Sequence, residues 1–262
     1  MALAIKVPKK VSDRIIAGLR RYQGIVKKAA EKDVSEADTV TIIKDMFCDI
    51  FGYDKYAELT SEQQIRGTFC DLAIKVGGKV HYLCEIKSAG TALNENHIRQ
   101  AVNYGAHNGI EWVILSNAVS WRVYRISFAQ PIDWEEVVSF DMATIGRSQD
   151  EVARLFMLCR ESLTNETLDA YHRQAQILNR HVIAETLISE PIVAGIRREF
   201  RRLFDGMKVA DHELRAILIG EVIKRDALDS EPAKAARALI KKAESSLKRK
   251  AARAAKATSA DD

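Results

Sequence analysis

The chain changes its hydrophobic period twice. Residues 9 to 32 carry apolar side chains at helical spacing, with Val11, Ile15, Leu19 and then Ile25 along the run. A second helix is expected in "DVSEADTVTIIKDMFCDIFG", where Ser35 can cap the start and Gly52 can end it. From about residue 66 to 140 alternation takes over. It predicts a hairpin in "FCDLAIKVGGKVHYLCEIKSAG" (69–90), a helix in "NENHIRQAVNYGAHNG", strands in "EWVILSN" and "WRVYRIS", and a last strand in "WEEVVSFD". Helical spacing returns after "SQDEVARLF", where Ser148 and Glu151 have capping-box spacing. Prolines in "SEPIVAG" and "SEPAKAA" suit the first turns of two later helices. The expected architecture is an N-terminal helix over 1–33, an α/β domain over 34–147, and a helical C-terminal region with a basic tail over 148–262.

The hairpin holds the chemistry. In its first arm Cys70, Leu72, Ile74 and Val76 point one way, and Asp71, Ala73 and Lys75 the other. In its second arm Val80, Tyr82, Cys84 and Ile86 form the apolar side, with His81, Leu83, Glu85 and Lys87 opposite. A two-residue Gly77-Gly78 turn would pair Val76 with Lys79 and set the two apolar sides on opposite faces. A three-residue loop, Gly77-Gly78-Lys79, pairs Ile74 with Tyr82 and Leu72 with Cys84, so the apolar sides coincide. Each large aliphatic side chain buried contributes about 1.5 to 3 kcal/mol at most, so several of them outweigh a turn preference. The longer loop is therefore expected, and it puts Asp71 opposite Glu85.

In that register Asp71, Glu85 and Lys87 share a face, with the two acids about 4.5 to 5.5 Å apart at Cβ. Like charges that close repel by roughly 3 to 4 kcal/mol at an effective dielectric near 20. Lys87 offsets part of this, and a hard divalent cation with oxygen ligands can offset the rest. The plainer alternative is a cross-strand ion pair on a solvated sheet face. On the following helix Gln100 and Tyr104 stand four apart on one side, with Ile98, Ala101 and Val102 left for packing. Glu36 is either a further acid of this group or a first-turn residue complementing the helix dipole.

An acid on a first helix, then Asp71, then Glu85-Ile86-Lys87, then Gln100 and Tyr104 on a helix resembles the PD-(D/E)xK nuclease superfamily. Gly67, four before Asp71, is similar to the Gly-x-x-x-Asp start of RecB-type members. The fuller string through "ILSNAVSWRVYRI" most resembles the N-terminal nuclease domain of type I restriction enzyme R subunits, over roughly residues 34 to 140. The resemblance implies a restriction-endonuclease-like core, a mixed central sheet flanked by helices. It implies a Mg²⁺- or Mn²⁺-dependent deoxyribonuclease in restriction, phage defence or repair. Asp71, Glu85, the Ile86 carbonyl and Glu36 would bind the metal, Lys87 would act on the attacking water, and Gln100 and Tyr104 would support them. Cys70 departs from the superfamily's proline. The chain lacks the helicase motor of a full R subunit and has no phosphate-loop motif, so it is not expected to translocate DNA.

Composition narrows the remaining options. The 262 residues carry a net charge of +4, and no stretch reaches the roughly 18 to 20 apolar residues of a membrane span. In "MALAIKVPKK" the lysines follow the apolar run, the reverse of a secretory signal. Four cysteines without paired spacing fit a reducing compartment, so a cytoplasmic location is expected. The run 241–257 holds seven basic residues against one acid, which suits a solvated helix face, a frayed tail or nucleic-acid contact. DNA is the expected partner, with a second copy or another subunit docking on the helical half. The rival function is a DNA-binding or partner-docking module that keeps the fold without catalysis.

Overall fold

The computed structural model describes residues 5–65, 68–164, 166–206 and 208–258. The chain divides into two units, Met1–Tyr171 and His172–Asp262. The first is α/β: helices α1 (Lys9–Glu31) and α2 (Glu36–Asp49), strands β1 (Leu59–Ile65), β2 (Thr68–Val76) and β3 (Lys79–Ile86), helix α3 (Glu95–Asn108), strands β4 (Trp112–Ser116), β5 (Ser120–Ser127) and β6 (Asp133–Asp141), then α4 (Gln149–Phe156) and α5 (Arg160–Leu163). Helix α6 (Thr167–Ile177) contains the division. The second unit continues with α7 (Arg180–Leu187), α8 (Glu190–Leu203), α9 (Asp211–Ile217) and α10 (Glu231–Thr258).

The six strands form one sheet in sequence order. Every neighbouring pair is antiparallel except β3 and β4, which run parallel and are joined through α3. A parallel pair needs a crossover connection, and α3 supplies it. Its capping box at Asn94 and the left-handed Gly109 at its end fix its length. One face of the sheet presents Leu72, Ile74, Tyr82, Cys84 and Ile114 to a core shared with α1, α2 and α4. The other presents Ala73, Leu83, Val113 and Leu115 to Ile98, Ala101 and Val102 of α3. Trp121, fully buried, packs against Phe47, Phe51 and Phe140 and anchors the first core.

Several expected elements appear with their signals. Ser35 caps α2 by accepting the Asp38 N–H, and Ser148 with Glu151 forms the capping box of α4. Gly52 adopts φ 82° beyond the end of α2. Along α1 it is Val26 that is buried, while Ile25 faces out. Helix α4 buries Val152, Leu155 and Phe156 in the first core. Residue 148 thus marks a change of pattern along the chain and not a change of core.

The hairpin register combines both turns considered from sequence. Leu72 lies opposite Cys84 and Ile74 opposite Tyr82, as the three-residue loop requires. At the tip, however, Val76 pairs with Lys79 across a two-residue Gly77-Gly78 turn. The two are reconciled by a bulge: Lys75 pairs with Val80 and Ile74 with Tyr82, which leaves His81 as the extra residue. Both glycines have positive φ, 59° and 81°, the geometry of the tight turn that matches strand twist. The bulge turns Val80 away from its predicted face, so that it packs toward α3 with Leu83.

Candidate active site

The second departure in the hairpin builds the site. Pairing of β2 with β3 stops at Leu72 and Cys84, while β2 goes on pairing with β1 as far as Thr68 opposite Ile65. The sheet therefore forks, with Asp71 on one arm and Glu85 on the other. Side chains replace the missing ladder bonds. Asp71 Oδ2 accepts the Ile86 N–H at 2.7 Å, and the Cys70 thiol donates to the Cys84 carbonyl at 3.0 Å. The thiol's turn inward corrects the sequence reading of Cys70: it joins the core beneath α3 instead of the face of Leu72. Gly67, the remaining motif position, lies outside the described residues.

Four of the sequence-predicted residues come together at the fork. Glu85 is only 4% exposed, and its Oε1 accepts from Lys87 Nζ at 2.8 Å. The same ammonium lies 3.6 Å from Glu36 Oε2 at the start of α2. Burial holds the Glu85 carboxyl above its usual range, against the pull of the Lys87 hydrogen bond; the charges of Asp71 and Glu36 push it further up. Burial pulls Lys87 down, but its bond to Glu85 and the charges of Glu85, Glu36 and Asp71 outweigh this and leave it raised. Three carboxylates thus act on one ammonium. The excess of negative charge sits at the carboxyl end of β3, beside the parallel strand β4, where open α/β sheets commonly bind ligands.

Such a donor set suits a hard divalent cation, because every group except Lys87 offers anionic oxygen. The Ile86 main chain is tied into the same group through its N–H to Asp71. Among the described residues, no three His, Cys, Asp or Glu side chains form a ready metal cage. Lys87 already engages one Glu85 oxygen. The cysteines are poor candidates for ligands or nucleophiles. Burial pushes the Cys70 thiol up to about 12 and raises Cys84 well above its usual value, so both stay protonated.

Helix α3 splits the remaining pair. Tyr104 is buried at 2% exposure in the core with Cys70, and burial raises its hydroxyl. Its predicted place beside the polar Gln100, opposite the packing residues, is thereby corrected: Tyr104 packs together with Ile98, Ala101 and Val102. Gln100 stands one turn earlier at an exposed position.

Sequence reasoning missed the groups that hold the loop after Lys87. The Lys87 N–H binds the Ser116 carbonyl at 3.0 Å, and Asn117 Nδ2 donates to the Thr91 carbonyl at 2.9 Å. Asn117 Oδ1 accepts from Val119 and Ser120 N–H, which fixes the turn after β4. From the opposite side, Asp33 Oδ1 accepts the Gly90 N–H at 3.2 Å. A Cβ on Gly90 would collide with the Asp33 carboxylate, so glycine allows this close approach. The strand-ending Asn117 was visible as part of the resemblance; nothing local in the sequence marks Asp33.

A scan against protein-family models returns no match, and searches of curated proteins and of solved structures return none either. Fold and site therefore define this much: an α/β protein with a six-stranded mixed sheet and a part-buried acid–lysine cluster where two strands part. Among the described residues no helix is long and apolar enough to cross a membrane.

Proposed function

We propose that the chain is a metal-dependent phosphodiesterase acting on DNA, with a restriction-endonuclease-like core of the kind its motif resembles. The carrying observation is the fork: Asp71 and Glu85 on diverging strands, Lys87 on Glu85, and Glu36 within reach of the same ammonium. Asp71, Glu85, Glu36 and the Ile86 carbonyl would hold Mg²⁺ or Mn²⁺. The bound metal would polarise the scissile phosphate and stabilise the leaving oxygen. Lys87 orients the attacking water and offsets phosphate charge, and its raised affinity for protons keeps it cationic at neutral pH. Burial of Glu85 excludes water from one side of the site. Tyr104 would act as a positioning residue by seating α3 against β2, and Gln100, exposed one turn earlier on the same helix, would steady Lys87 or the DNA backbone.

The test is cleavage of plasmid DNA with Mg²⁺ or Mn²⁺. Wild type is expected to nick or degrade it, and Lys87→Ala and Glu85→Gln to lose at least about a hundredfold in rate, the lower range for a positioned proton-transfer group. Equal rates for wild type and Lys87→Ala would remove the catalytic reading.

A second reading has its own observation. The Lys87–Glu85 pair, closed at 2.8 Å, neutralises the buried acid without any cation. That favours a catalytically silent DNA-binding or partner-docking module. Salt-sensitive DNA binding with no metal-dependent cleavage would support it.

A further inference from the structure

The two units differ sharply in charge. Met1–Tyr171 carries 21 basic and 23 acidic residues, a net of −2, whereas His172–Asp262 carries 19 against 13, a net of +6. The excess is concentrated on α10. From 237 to 258 it holds eight basic residues and one acid.

Among the described residues, helix α10 has its fully buried side chains near its start. Ala233 and Ala236 are buried, Arg237 binds Glu185 of α7 at 2.6 Å, and Lys234 binds Glu231 at 2.6 Å. Past that turn Ile240 is half-buried, and most of the described positions from 241 to 249 are exposed. Lys241, Lys242, Lys248 and Arg249 are all exposed, and among the described residues none pairs with an acid. Lys241 and Lys248 are seven residues apart, as are Lys242 and Arg249, so each pair repeats on one side of the helix about 10.5 Å apart along its axis. Like charges on one helix face repel, so a regular, unpaired row of this kind is stabilised by an external polyanion.

We infer that α10 is a sequence-independent phosphate-backbone grip for nucleic acid, with Lys241, Lys242, Lys248 and Arg249 as its contacts. The apolar positions of the helix decide against a membrane surface or a partner helix. Membrane-surface helices need rows of Leu, Phe or Trp to insert beside their lysines. Helix-in-groove partners and coiled coils need large apolar anchors every three or four residues. Past Arg237, α10 offers Leu239, Ile240 and Leu247 and otherwise alanine among its apolar positions. A second copy of the helix would bring two positive rows together. Nucleic acid alone needs no apolar face, because counterion release supplies the affinity.

The inference adds a binding surface to the nuclease reading, but its test does not depend on cleavage. Full-length protein is titrated with a labelled DNA duplex of arbitrary sequence in EDTA, over a series of salt concentrations, by fluorescence anisotropy. Wild type is compared with the combined variant Lys241→Gln, Lys242→Gln, Lys248→Gln and Arg249→Gln, whose fold is checked by circular dichroism. All four side chains are exposed, so folding is expected to be unchanged. Each lost phosphate contact lowers the slope of log K against log salt by about 0.9, so a reduction of about 2 to 4 is expected. At low salt, affinity should fall at least about tenfold. An unchanged slope and affinity would overturn the inference. So would phosphatidylserine vesicles that bind wild type as tightly as DNA and lose it in the variant. Binding is measured in EDTA and cleavage with Mg²⁺ in a separate assay, so loss of cleavage and loss of grip are read separately.

Discussion

Asp71 accepts the main-chain N–H of Ile86 through Oδ2 at 2.7 Å, so one side chain both ends a β-ladder and delivers a carboxylate beside Glu85. Structural and chemical roles can be separated at this position. Asp71→Ala leaves the Ile86 N–H without its acceptor and is expected to cost about 1 to 3 kcal/mol. Asp71→Asn keeps an acceptor, should cost less than about 1 kcal/mol, and should still abolish metal-dependent cleavage. Urea denaturation and the plasmid assay check the two halves.

Glu85 makes stability depend on pH in a defined direction. Its carboxyl is raised in the folded chain above the ordinary 4.5, chiefly by burial. Between the unfolded and folded values the native state holds more protons, so this group's contribution is present at low pH and is lost as pH rises through that window. Glu85→Gln should therefore gain stability relative to wild type as pH rises from about 4 to 7, read from melting temperatures of both proteins. A difference that shrinks with rising pH would contradict the assignment.

Lys87 tests the same pair from the other side. Replacing it with Met removes the partner of a nearly buried carboxylate, and truncating one member of a buried pair costs about 3 to 5 kcal/mol. Protonation of Glu85 relieves part of that cost. The loss should therefore be smaller at pH 5 than at pH 8, measured by denaturant midpoints. In wild type the Lys87 contribution should persist up to its ordinary 10.5 and fade only above it, because its folded value is raised.

The turn offers a test free of the site. Gly77 and Gly78 have φ of 59° and 81°, and a Cβ on either meets nothing within 4 Å. Alanine at either position should cost about 1 kcal/mol, from the backbone alone. Asn at Gly77 should recover much of it, since Asn tolerates the left-handed region. Thermal melts of the three variants decide this.

What could be read from sequence follows where burial dominates. Leu72 with Cys84 and Ile74 with Tyr82 were legible because a slip would have exposed a whole apolar row. The turn was not, because a bulge at His81 lets a tight Gly-Gly turn and the buried register coexist, and a polar, half-buried residue does not announce a bulge. Strand β1, "LTSEQQI", was missed because it lacks apolar alternation and exists as an edge partner of β2. Asp71, Glu85 and Lys87 could be grouped from parity alone. The fork that separates them, and the burial of Tyr104, depend on contacts between segments far apart in the chain.

The most direct measurement is a crystal soaked in Mn²⁺, with anomalous difference density computed around the fork. The account expects a peak in contact with the carboxylates of Asp71 and Glu85, which vanishes in the Asp71→Asn, Glu85→Gln double variant. A soaked wild-type crystal with no peak between those two acids, and with Lys87 still closed on Glu85, would contradict it.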